Sequence, residues 1–288
     1  MDCRGSVAVA PIDRMLGNMA FMCSGELIEF DDFCRKSNRD SLNTRVMTPS
    51  YETESLLQHT SRQYDHELLD IRSRVLSLGG LVEEQVEAAV RALIECDIEL
   101  AQRVITDDYK VNSLEVSIDD ECTQILALRQ PTARDLRLVV GVIKTITDLE
   151  RIGDEAKRIA RHAIDLASHF PKKNQLTELE HLARHARGLL HEALDSFARM
   201  DVDSALSVVQ DDRQVDSEYE SIMRQQITYM MEDARSIPVC LDIMWSARAL
   251  ERIGDRSCNI CEYVIYYAKG KNIRHISIEQ LEKDLREA

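Results

Sequence analysis

Three acidic pairs, each set one helical turn apart, are candidates for chemistry in this chain. Glu150 precedes Asp154 by four residues, Glu251 precedes Asp255, and Asp212 precedes Asp216; Asp108 and Asn112 hold the places that correspond to this last pair earlier in the chain. Residues four apart on a helix lie one above the other on one face. Two carboxylates so placed repel by about 0.2–0.5 kcal/mol per pair, so a nearby positive charge is expected. If the helices bearing them run side by side, four oxygen-bearing side chains converge, a donor set suited to Mg, Mn, Ca or Fe. Glu115 adds an oxygen one turn beyond Asn112, whose neutral amide weakens the first set. The plainer role is surface ion pairing: Arg151, Arg158, Arg248 and Arg252 lie within a turn of these acids, and the run Lys157, Arg158, Arg161 lies beside Glu150 and Asp154.

The elements that must position these groups follow from a duplication. LERIGD occurs at 149–154 and again at 250–255, an offset of 101, and DIELAQRVITDD at 97–108 realigns with DVDSALSVVQDD at 201–212, an offset of 104. Each copy reads as three helices: 57–95, 98–128 and 133–168, then 178–199, 202–232 and 237–268. Asp97 and Asp201 are N-cap residues, Thr132 followed by Asp135 and Thr177 followed by Glu180 mark further starts, and Gly270 is a C-cap. Val111, Leu114, Ile118, Cys122 and Ile125 recur at steps of three and four, which turns one face of the second helix to a core. Gly153 and Gly254, each costing about 1 kcal/mol inside a helix, point to close approach of neighbouring backbones. The expected fold is all-α: two similar three-helix bundles in tandem over 57–170 and 171–270, six long helices with a pseudo-twofold internal repeat. Residues 1–56 match nothing in the repeat and are expected to be disordered, with Met47 a more usual start. The tail 271–288 is expected to hold a short helix after Ser277.

Composition narrows the functions available. With 51 acidic and 36 basic residues the formal charge is -15, which opposes binding to nucleic acid and to anionic lipid. No apolar run approaches the ~18–20 residues of a membrane span, and no signal peptide is read at the start. Eight cysteines without framework spacing fit reduced thiols in the cytoplasm. Cys258 and Cys261 form a C-x-x-C with no second pair, and His181 and His185 follow Glu178 without the second E-x-x-H of a di-metal bundle; packing and a chance surface pair are the expected roles. Phosphate-loop, nucleophile-elbow and zinc-protease signatures are missing, so no enzyme is expected.

RQPTARDLRLV at 129–139, LERIGDEAKRIA at 149–160 and ERIGDRSCNICEYVIYYAKG at 251–270, set in a duplicated three-helix chain, resemble the PhoU family of phosphate-transport accessory proteins over about residues 57–275. The resemblance implies self-association to dimers or higher forms and a cytoplasmic negative regulator of the phosphate regulon. It implies contact with the ATPase subunit of the phosphate transporter and with the phosphate sensor histidine kinase, and a link to the membrane only through these partners. The family's acidic motifs, which hold metal in some members, fall on Glu150 and Asp154, Glu251 and Asp255, Asp212 and Asp216, and Asp108, with Asn112 departing from the pattern. Divalent or iron-type cations at these patches are implied. A metal-dependent phosphate-handling enzyme is the alternative.

Overall fold

Leu, Ile, Val and Ala at steps of three and four along each long helix give it one apolar face, and the fold is the way these faces cover one another. The computed structural model describes residues 21–23, 26–28, 62–169 and 173–270. The chain divides into two units, Met1–Leu56 and Leu57–Ala288. In the first, β1 (Phe21–Cys23) pairs antiparallel with β2 (Glu26–Ile28), Phe21 opposite Ile28. This short ladder falls where disorder is expected from the sequence; the proposed start at Met47 and the tail helix after Ser277 lie outside the described residues.

The second unit is all-α, two three-helix bundles in tandem. The first contains α1 (Arg62–Glu95), α2 (Ile98–Asp107), α3 (Tyr109–Arg129) and α4 (Ala133–His169); the second contains α5 (Lys173–Arg199), α6 (Val202–Glu232) and α7 (Ile237–Lys269). The expected second helix of the first copy is therefore two helices broken at Asp108, whereas its counterpart α6 is unbroken. The amides of Val111 and Asn112 both bond to the Asp108 carbonyl, at 3.1 and 3.3 Å, tightening the turn locally as the Asp108 side chain is drawn inward.

Caps set the other ends. Asp97 accepts from the Leu100 amide at 2.9 Å, and Asp201 from the Asp203 and Ser204 amides at 3.0 and 3.3 Å. Hydrogen bonds from Ser204 hold the Asp201 carboxyl below its usual range. Asp201→Ala is expected to cost about 1 kcal/mol in chemical denaturation. Thr177 is not a cap, because α5 already begins at Lys173; burial of Leu176 and Leu179 holds that earlier turn on the core. The Asp135 amide bonds to the Thr132 carbonyl at 3.1 Å. Gly270 ends α7 at φ +70° with its amide on the Tyr266 carbonyl at 2.8 Å, a conformation that favours glycine.

The two bundles join along α4 and α7. Asp148 pairs with Arg256, Glu155 with Arg252 and His162 with Asp242, so rising numbers on one helix meet falling numbers on the other and the helices are antiparallel. Leu149, Ile152 and Ile159 of α4 and Leu250, Ile253 and Ile260 of α7 are fully buried. Inside this apolar seam lies a polar knot that sequence reading missed. Asp148, 2% exposed, accepts from Arg256 at 2.8 Å, Tyr263 at 2.8 Å and Asn259 at 3.4 Å. Glu155 is also buried and accepts from Arg158 and Arg252 at 3.2 and 3.1 Å. Both arginines, expected beside the paired acids, thus turn to Glu155, Arg252 from across the seam. A second seam joins α1 to α5, where His191 meets Glu83 and Arg187 meets Glu87, each at 2.9 Å.

Candidate metal centre

Each carboxylate patch forms where the second helix of a bundle crosses the LERIGD turn of the third. Gly153 and Gly254 make the crossing possible. A Cβ on Gly254 would stand 2.7 Å from Asp212 Oδ1 and 3.3 Å from Val215 Cγ1; one on Gly153 would stand 2.9 Å from Gln85 Oε1 and 3.4 Å from Val111 Cγ1. The close approach is of side chains, not of backbones as the sequence suggests.

In the first patch Asp108 is 4% exposed and its oxygens are occupied. Gln85 donates to Oδ1 at 3.0 Å, and Lys157 to Oδ2 at 2.5 Å. The Lys157 ammonium also reaches Asp154 at 3.3 Å, and Asn112 donates to Asp108 at 3.4 Å. Burial, then the charges of Asp154, Glu115 and Asp108, raise the pKa of Glu150, so these groups do converge. The hydrogen bond to Asp108, foremost, raises that of Lys157. A resident ammonium therefore offsets the acids, as the ion-pair reading of the sequence allows.

The second patch keeps the acids and changes their surroundings. Asp212, Glu251, Asp255 and Gly254 repeat Asp108, Glu150, Asp154 and Gly153, and Asp216 replaces the Asn112 amide with a carboxylate. Leu189 stands in place of Gln85, Tyr219 in place of Glu115, and Cys258 in place of Lys157. Among the described residues Asp212, Asp216 and Asp255 take no ion pair. Glu251, 8% exposed, accepts from Arg248 at 2.6 Å through Oε1, while its buried Oε2 has no partner. The Arg248 guanidinium lies 5.6 Å from the centre of the Tyr219 ring. Burial, foremost, with Asp255, Asp216 and Asp212 pushes Glu251 up to about 7 despite Arg248. Burial with Asp216 and Asp255 pushes Asp212 up to about 6, and burial with Asp216 raises Asp255 against the pull of Arg248, Arg256 and Arg252. Glu251 Oε2, buried without a partner, is the one oxygen of the patch left short of a positive charge that a hard cation could supply, but among the described residues no three ligand atoms here stand within 4.8 Å of one another. Asp212, Asp216, Glu251 and Asp255 would hold it, and it would supply the positive charge that Lys157 supplies in the first patch.

Cys261 packs in the core against Ser196 and Cys258 packs against the same core with its thiol 4.0 Å from the Val208 carbonyl, both as expected, and burial pushes the Cys258 thiol well up. His185 pairs with Glu218 at 2.8 Å, while its sequence partner His181 is exposed, so the two share no site. Elsewhere, His162, Asp165 and Asp242 place ligand atoms within 4.8 Å of one another across the bundle seam, the one such group of three among the described residues. Nothing in the sequence spacing marks it, since Asp242 comes from the other bundle.

The PhoU domain profile matches residues 75–163 and again 179–264, one match on each bundle. The chain belongs to the PhoU family. The phosphate-specific transport system accessory protein PhoU of Serratia marcescens is 51% identical over 232 residues, covering 81% of this chain and 95% of that relative. The protein of the same name from Escherichia coli is 49% identical over 231 residues, covering 80% and 95%. The crystal structure of PhoU from Pseudomonas aeruginosa, 50% identical, superposes with a TM-score of 0.71 over 73% of this chain and 100% of that one. That of the phosphate transport system regulatory protein PhoU from Streptococcus pneumoniae, 31% identical, gives 0.68 over 73% and 99%. PhoU relatives are thus accessory and regulatory proteins, not members of an enzyme family. No helix among the described residues is long and apolar enough to cross a membrane.

Proposed function

We propose that this chain is a cytoplasmic negative regulator of the phosphate regulon and a modulator of phosphate uptake. It acts by contact with the ATPase subunit of the phosphate transporter and with the phosphate sensor histidine kinase. The observation that carries this reading is that similarity to accessory proteins of phosphate-specific transport runs through both bundles. The second carboxylate patch holds a divalent or iron-type cation that fixes α6 against α7, and the chain self-associates to a dimer or higher form. Exposed apolar side chains provide a docking face: Ile237, Leu241 and Trp245 recur every four residues on α7, and Met231 projects from α6 at 83% exposure. Large apolar groups left in water at helical spacing are the usual mark of a partner surface.

Calorimetric titration of the full chain against the transporter ATPase subunit and the soluble part of the kinase tests the reading. Trp245→Asp is expected to weaken binding at least tenfold while leaving the melting temperature unchanged, because the indole is 59% exposed. No binding to either partner, with divalent cation or with chelator, overturns the proposal. Turnover of phosphate esters that Glu251→Ala abolishes would move the chain to the enzyme alternative.

A further inference from the structure

We infer that His162, Asp165 and Asp242 bind a zinc-type divalent ion that ties the two bundles together across the α4–α7 seam. The site is separate from both carboxylate patches and stands or falls without them.

His162 and Asp165 lie one turn apart on α4, and Asp242 reaches them from α7 of the other bundle. His162 Nδ1 and Asp242 Oδ1 are 3.1 Å apart, and all three residues bring a ligand atom within 4.8 Å of the others. Donors about 2.0–2.2 Å from a tetrahedral zinc ion stand about 3.3 Å from one another, so the first two need hardly move. Asp165 is exposed and can close on them: among the described residues its carboxylate takes no hydrogen bond or ion pair, and only its carbonyl bonds to Ser168 and His169. The Asp242 side chain is 14% exposed and pairs with His162, with no lysine or arginine on it among the described residues. Two carboxylates and a neutral imidazole carry the charge that one divalent ion balances, and the imidazole selects zinc, cobalt or nickel over magnesium or calcium. Water fills the fourth position. The ion takes the place of the proton between Nδ1 and Oδ1, which passes to solvent.

The duplication supplies a control. The offset of 101 carries His162 and Asp165 to Tyr263 and Tyr266, and Asp242 back to Gly141, toward the opposite end of the same seam. There Lys144 lies 5.5 and 5.7 Å from the centres of the two tyrosine rings, and a Cβ on Gly141 would meet nothing within 4 Å. The seam therefore packs without ligand groups at these positions, and packing does not account for the three at the first end.

Zinc titration of the metal-stripped full chain, isotope-labelled in its histidines and followed by the imidazole nitrogen resonances in NMR, reads this site alone, because the carboxylate patches contain no histidine. One imidazole signal is expected to shift as zinc is added, and to be the signal missing from His162→Gln. Magnesium should leave it in place. Asp165→Asn should match the native melting temperature in chelator, since its carboxylate has no partner to lose, yet bind zinc at least tenfold more weakly. Glu251→Gln should leave the imidazole response unchanged, which separates this site from the second patch. Zinc that shifts no imidazole, or shifts one still present in His162→Gln, overturns the site and leaves the carboxylate patches untouched. Native zinc affinity in Asp165→Asn, read on that signal, overturns it also and leaves His162 and Asp242 as a hydrogen-bonded pair of the seam.

Discussion

Arg256→Met is expected to lower the unfolding free energy by about 3 kcal/mol or more. The substitution strands Asp148, 2% exposed in the α4–α7 seam, with only the neutral donors Asn259 and Tyr263. Removing one partner of a buried pair typically costs ~3–5 kcal/mol, because the remaining charge is left without compensation. The double change Asp148→Leu with Arg256→Met should recover most of the loss, since a buried ion pair and an apolar pair of similar volume are often near equal. Urea denaturation of the three variants checks this. A single-variant loss below ~0.5 kcal/mol would show that the knot holds the bundles together no better than a surface pair does.

In chelator, the melting temperature of the native chain should fall by roughly 5 °C between pH 5 and pH 8, on the order of 2 kcal/mol for a domain of this size. Glu251 and Asp212 titrate at about 7 and about 6 in the folded chain, above their ordinary 4.5 and 3.8. The folded state therefore holds protons that the unfolded chain releases. The stability this gives is complete below about pH 4 and is lost as pH rises through about 6 and 7. Saturating zinc should abolish most of the loss at pH 8, because the ion supplies the positive charge that protons supply in acid. Glu251→Gln should flatten the pH profile in chelator and reduce the response to zinc. If zinc leaves the native chain's melting temperature at pH 8 unchanged, the second patch binds no ion of consequence to the fold.

Most of the architecture was legible in the chain. The apolar steps along Val111, Ile118, Cys122 and Ile125, all buried, locate one helix face, and the recurrence of LERIGD fixes the two-bundle plan. The start of α5 was misplaced by a local signal: Thr177 and Glu180 have capping-box spacing, but Leu176 beside the core outweighs it. The break at Asp108 was hidden because its cause, the pull of Gln85 from α1 and Lys157 from α4, is not local.

The same division holds at the candidate site. Spacing alone determined that Glu150 and Asp154, Glu251 and Asp255, and Asp212 and Asp216 lie pairwise on single helix faces, since helical geometry is set by the backbone. Spacing could not tell which acids would acquire a partner. Only the tertiary structure decided that Arg158 and Arg252 turn to Glu155, that Lys157 occupies the first patch, and that the second is left with an unpartnered carboxylate oxygen. Charge pairing depends on which helices meet and at what depth, and burial sets its energy; both arise from packing between elements far apart in the chain.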